Sequence, residues 1–340
     1  VLRIDESLLI IRIMNAFFFS LSIALSFRLF RHNFSTEISF LSSMVLAFNP
    51  IAYIYSVSLL TEPLFILFLL LVFSLLFEKQ FPNKTKYFLV GIVASLTFLV
   101  KLTGLFVLAS LFLWLLSQQN RKSKLLYFTI GSLVLIVPYL SYNIYYTGMI
   151  FPYLNIYSEI YPPLVSSAYH LRTLSSFLIL VRIKTFFYDL VSLKLFGILF
   201  PFVIIGLLKN SKKRYISIII TYVLVTIFYH VGHHYTTRYM LPLVFLLLPL
   251  GINELFVLFK NSPSTFRNLN FAKVHISLLV LIFFSSTLYM PLLLTEHFVK
   301  PYYDNNEDKY RWYNENYDSD LVVCSTNYMS TSYHTNSITI

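Results

Sequence analysis

A carboxylate, an ammonium and a guanidinium stand where chemistry is possible: Glu62 in Thr61-Glu62-Pro63, Lys101 in Val100-Lys101-Leu102-Thr103-Gly104, and Arg238 in Thr237-Arg238-Tyr239. Each lies at the edge of a long apolar run, where a charge is costly unless it has a partner or a task. Glu62 reads in two ways. Thr61 can cap a helix whose first turn holds Glu62 and Pro63, with the carboxylate favoured by the helix dipole; or Glu62 is a carboxylate at the mouth of a cavity. Lys101 is a lysine snorkelling to an interface, or a fixed cation for an anionic group such as a lipid phosphate, with Gly104 letting the backbone turn beside it. Arg238 is a boundary arginine beside the interfacial Tyr239, or a bidentate phosphate ligand.

Other polar groups are weaker candidates. His230, His233 and His234 have the spacing that puts three imidazoles on one helix face. They read as metal ligands, as polar contacts to a substrate, or as plain boundary residues, and no nearby carboxylate completes a metal set. Asp5 and Glu6 could act as a general base or complement the dipole of the helix that follows. Arg12 is expected to face protein or a headgroup. Asn33-Phe-Ser35 and Asn83-Lys-Thr85 match the glycosylation pattern, but both fall on the predicted cytoplasmic side.

The elements that position these residues must be membrane helices. The 340 residues are 57% hydrophobic and 12% charged, with a mean hydropathy of +0.70. The charged share is about half that of soluble domains, and lipid solves the problem of so much apolar surface. A crossing takes about 20 apolar residues with every backbone group bonded internally. About ten spans are predicted, at 8–27, 38–55, 63–77, 87–100, 105–116, 125–140, 191–208, 215–231, 239–259 and 274–294. The second is broken at Asn49-Pro50, because proline cannot donate to the helix ladder. A polar, aromatic loop is expected from 141 to 175, followed by an amphipathic piece over 177–190. No internal repeat or transporter-like inverted symmetry is visible.

Charge orients the bundle. The loops after the first, third, fifth, seventh and ninth spans hold fifteen of the 26 Lys and Arg residues, whereas the short loops opposite hold only Lys101 and Arg238. By the positive-inside rule, Glu62, Lys101, Arg238, His233, His234, Asp5 and Glu6 then share the non-cytoplasmic side. The same distribution accounts for the net charge of +11 without nucleic acid, which is excluded as a partner. The single cysteine, Cys324, excludes an intrachain disulfide and a Cys-based zinc site.

Three segments carry a family resemblance. They are 48–65, with Asn49-Pro50 and Thr61-Glu62-Pro63-Leu64-Phe65; 91–104, from Gly91 to Leu99-Val100-Lys101; and Arg238-Tyr239-Met240-Leu241-Pro242. Together they resemble the GT-C superfamily of membrane glycosyltransferases, in the group of dolichyl-phosphate-mannose–protein mannosyltransferases and aminoarabinose transferases. Lys309 to Asn316 and Asp320 to Ser325 look like the start of that group's extramembrane domain.

The resemblance implies an all-α polytopic GT-C-like bundle. Its transmembrane domain is 1–294, with a cavity near the non-cytoplasmic surface, and a small non-cytoplasmic C-terminal domain starts within 295–340. It implies inverting transfer of a hexose or pentose from a polyprenyl- or dolichyl-phosphate donor to a protein, glycan or lipid acceptor. The setting is a cell membrane or one of endoplasmic-reticulum type. Glu62 matches the family's second acidic position, which supports the site or binds a divalent metal. Lys101 and Arg238 match positions facing the phosphate, with Tyr239, His233 and His234 beside them. The family's catalytic Asp lies in a first external loop that is expected to precede Val1, so this chain alone is expected to be inactive, and Asp5 and Glu6 are substitutes at best. The competing readings are a transporter or lipid flippase, which calls for ionisable groups near the membrane midplane, and a non-catalytic membrane subunit or scaffold.

Overall fold

The computed structural model describes residues 4–49, 52, 55–56, 61–78, 80–119, 121–150, 199–210, 214–232 and 240–260; of 4–8, 214–215, 227–232 and 259–260 it describes the backbone alone. The chain divides into two compact units, 1–279 and 280–340. Every described residue belongs to the first. The predicted tenth span and the tail lie outside the described residues.

Among the described residues there are nine helices and no strand: α1 (Ile4–Arg31), α2 (Thr36–Ala47), α3 (Glu62–Phe77), α4 (Asn83–Val100), α5 (Gly104–Leu116), α6 (Arg121–Thr147), α7 (Phe200–Asn210), α8 (Arg214–Gly232) and α9 (Leu241–Lys260). An all-helical membrane fold of the expected class is therefore present. Three of the helices hold segments long and apolar enough to cross a membrane: Leu9–Arg31, Arg121–Thr147 and Leu241–Leu258. Others, such as Glu62–Phe77 and Gly104–Leu116, are apolar but shorter.

Helix ends follow local chemistry. Ser35 caps α2 by accepting from the Ile38 amide at 3.4 Å. The same helix stops at Ala47, ahead of Asn49-Pro50, where the break is predicted, and Asn49 Oδ1 accepts from the Ala52 amide at 3.0 Å. The sixth predicted span is corrected. α6 does not stop at Leu140 but runs on through the first residues of the expected loop to Thr147. Side chains there tie down the helix end: Thr147 Oγ1 donates to the Asn143 carbonyl at 2.6 Å, and Asn143 Nδ2 donates to the carbonyl of Ile150, just past the helix, at 3.0 Å. Gly148, at φ 68°, then ends the helix in the left-handed conformation usual after a helix terminus.

Burial separates the core from the lipid-facing rim. The apolar segment of α9 is 78% buried, against 22% for α1 and 17% for α6. Met240 to Ile252 is buried without a break, as expected of a helix apolar all round and surrounded by others. Phe245 meets Phe19 of α1 edge-on, with ring centroids 6.0 Å apart.

Contacts fix which helix ends lie together. Arg28, in the last turn of α1, bonds Glu78, just beyond α3, at 2.9 Å. Lys101, just beyond α4, bonds Glu62 at the start of α3 at 2.6 Å. So α1 and α3 run parallel and α4 returns antiparallel to α3. α6 runs parallel to α4. The start of α4 and of α6 therefore join the ends of α1 and α3, gathering Arg28, Lys84, Lys86, Arg121, Lys122 and Lys124 at one basic end. Glu62 and Lys101 stand at the opposite end, as the charge alternation requires.

The α4/α6 contact contains a repeat that was not visible in the sequence reading. Lys84-Thr-Lys-Tyr87-Phe88-Leu-Val-Gly91 and Lys124-Leu-Leu-Tyr127-Phe128-Thr-Ile-Gly131 share one pattern, Lys-x-x-Tyr-Phe-x-x-Gly. The two copies face each other in register. A Cβ on Gly91 would come within 2.2 Å of the Phe128 carbonyl oxygen, and one on Gly131 within 2.1 Å of that of Phe88. Only glycine lets the backbones approach so closely, the device that membrane helices use where the hydrophobic effect supplies no attraction. Ser95 Oγ extends the seam by donating to the Ser132 carbonyl at 3.1 Å.

Candidate active site

The loop between α4 and α5 is three residues long, and its geometry aims Lys101. The Lys101 amide still closes the last turn of α4, donating to Thr97 O at 3.1 Å. At φ −156° and ψ 136° its own backbone is extended, so it leaves the helix. Its carbonyl accepts from the Gly104 amide at 2.8 Å, which starts α5 at once. The turn folds Gly104 onto α4 so tightly that a Cβ there would lie 2.2 Å from the Thr97 carbonyl carbon. The tight turn expected at Gly104 is thus present.

Across from it, Glu62 opens α3, with Pro63 in the first turn. The Thr61 side chain makes no cap hydrogen bond. Thr61 therefore does not supply the side-chain cap that the sequence suggests. The Glu62 carboxylate turns to Lys101 instead: Nζ donates to Oε1 at 2.6 Å. The Glu62 side chain is 4% exposed and that of Lys101 17%. The contact is a direct side-chain ion pair across the α3/α4 end. The lysine side chain is the more exposed of the two.

The remaining sequence-predicted residues divide. Asp5 and Glu6 are in the first turn of α1, not ahead of the helix, because α1 begins at Ile4. Arg12 does not face protein among the described residues. It is exposed within a stretch, Leu9 to Met14, that is exposed all round. His230 closes on the end of α8, where the backbone alone is described. His233, His234, Arg238 and Tyr239 lie outside the described residues, as does the predicted amphipathic piece over 177–190. Among the described residues there is no group of three or more His, Cys, Asp or Glu able to hold a metal.

Residues 1–142 match a family model. The family is dolichyl-phosphate-mannose-protein mannosyltransferase. This mannosyltransferase match takes in Glu62, Lys101, the turn that aims the lysine and most of α6, and it ends before Arg238. The resemblance read from the first two motifs is thereby confirmed. The matched part is similar to a membrane glycosyltransferase of the mannosyltransferase type, a family whose description names a lipid-phosphate-linked mannose and a protein. No curated protein matches the chain.

Proposed function

We propose that the chain serves the transfer of a sugar from a polyprenyl-phosphate donor to an acceptor on the non-cytoplasmic side, with inversion at the anomeric carbon. One observation carries this reading: Glu62 and Lys101 form a bonded, largely buried pair within the mannosyltransferase-like residues, at the end opposite the basic one. In the transfer, an acceptor hydroxyl attacks the anomeric carbon, the bond from that carbon to the phosphate oxygen breaks, and the hydroxyl proton passes to a carboxylate. Asp5 and Glu6 are acidic residues at the corresponding end of α1. Negative charge then grows on the departing lipid phosphate, and a cation fixed beforehand stabilises it. Lys101 takes that role with Arg238. Tyr239, His233 and His234 flank the donor, and Glu62 holds the lysine in place.

A divalent metal at Glu62 has less support. Its Oε1 already accepts from Lys101, and no ligand cluster stands with it among the described residues. No step is assigned to a metal. The transporter reading has less support as well, since the Glu62–Lys101 and Arg28–Glu78 pairs stand at helix ends rather than midway.

The test is an assay of membranes containing the whole protein with radiolabelled polyprenyl-phosphate sugars. Label appears in a protein, glycan or lipid acceptor if the reading holds. Label that crosses the bilayer while still attached to its carrier lipid sinks it in favour of a flippase.

A further inference from the structure

A second charged cluster lies at the basic end, away from the proposed transfer site and independent of it. Lys84, Arg121 and Lys122 are exposed at the starts of α4 and α6, and Lys124 is half-buried beside them. Neither helix has an acidic residue in its first turn. Among the described residues, none of the ion pairs involves Lys84, Arg121 or Lys122.

Orienting a span requires only that basic residues be present in a loop. Here two of them are held in place. The Lys84 ammonium sits 5.8 Å from the centre of the Tyr127 ring, and the Lys124 ammonium 5.9 Å from that of Tyr87. Each lysine thus reaches across the seam to the other helix's tyrosine, with the glycine pair two turns further on holding the backbones together. Cation–π contact fixes a lysine without neutralising it. The result is a patch of like charge held by the buried Tyr87 and by the half-buried Tyr127, whose ring suits the boundary between headgroups and acyl chains.

We propose that Lys84, Lys124, Arg121 and Lys122 form a binding site for the headgroup of an anionic phospholipid. The lipid phosphate meets the basic side chains at the α4/α6 seam, and its acyl chains lie along the lipid-facing side of α6. Basic clusters between helices at a membrane surface have the charge and the depth for such headgroups.

The experiment uses the whole protein in phosphatidylcholine bilayers and measures the motionally restricted fraction of spin-labelled phosphatidylglycerol against spin-labelled phosphatidylcholine. The anionic probe is enriched at the protein, and high salt reduces the enrichment. Each of Lys84→Gln, Arg121→Gln and Lys122→Gln lowers it by up to about fivefold. Because these changes can also disturb insertion, Tyr127→Leu serves as a variant that keeps every charge; it lowers the enrichment by about twofold through loss of the lysine's fixed position. Equal occupancy by the two lipids overturns the proposal. So does an unchanged preference in all four variants, and so does displacement of the anionic probe by an excess of inorganic phosphate, which assigns the patch to a free anion.

Discussion

Lys101 Nζ stands 2.6 Å from Glu62 Oε1, joining residues 39 positions apart at one end of the α3/α4 pair. The Glu62 side chain is nearly closed off, and the Lys101 side chain is the more exposed of the two. In the proposed transfer Glu62 is the anchor, and Lys101 is the member of the pair that meets the donor phosphate. Both residues fall within the mannosyltransferase-like part of the chain, which makes the pair the place to test first.

Removing Lys101 takes the 2.6 Å ammonium contact from a carboxylate whose side chain is 4% exposed. Lys101→Ala is expected to destabilise the protein by about 3–5 kcal/mol. The double variant with Glu62→Ala recovers part of that loss. Thermal unfolding in detergent measures the cycle, and additive losses would show that the two side chains act separately.

Activity separates from stability at the same position. Lys101→Ala and Arg238→Ala are each expected to lower kcat/KM for sugar transfer by about a hundredfold or more, with membrane insertion intact. Lys101→Arg, which keeps the charge, retains part of the rate. Wild-type turnover in both alanine variants would remove the phosphate role assigned to them.

The α4/α6 seam makes an opposite-sign prediction to helix propensity. Alanine in place of an unconstrained helical glycine is favourable by about 1 kcal/mol. At Gly91 and Gly131 the added Cβ meets backbone oxygen at 2.2 and 2.1 Å. Gly91→Ala and Gly131→Ala are therefore expected to destabilise by about 1–3 kcal/mol, read from the midpoint of unfolding in denaturing detergent. A gain in stability at either site would show that the two backbones do not approach as described.

Two further ion pairs should differ in worth. Arg28 and Lys209 are similarly exposed, at 64% and 59%, and the pairs differ in their carboxylates. Glu78 keeps 13% exposure, so Arg28→Ala costs at most about 1 kcal/mol. Lys209 bonds Glu254 at 2.7 Å, and the Glu254 side chain is only 6% exposed. Lys209→Ala leaves that more deeply buried carboxylate with the Asn253 amide at 3.3 Å and costs about 1–3 kcal/mol. The ordering of the two losses in one unfolding assay is the test.

The apolar runs of the sequence predict most of the described helices closely. Lipid cannot bond to backbone groups, so a run of apolar residues has no alternative to a helix. α3, predicted over 63–77, is Glu62–Phe77, and α5, predicted over 105–116, is Gly104–Leu116. The alternation of Lys and Arg placed Glu62 and Lys101 at one end before any contact was known, and the first two family motifs were legible for the same local reason. The end of α6 was not, because its last two turns depend on Asn143 and Thr147 bonding carbonyls that a polarity reading assigns to a loop.

What only the tertiary structure decided is which helices are neighbours and how each is turned about its axis. Apolarity is a property of one segment in isolation. It is the same whether the segment is largely exposed, as α6 is, or enclosed, as α9 is. The bond between Glu62 and Lys101 and the register of Gly91 against Phe128 depend on the distance between two backbones. That distance is set by the packing of several helices at once, which no single stretch of the chain encodes.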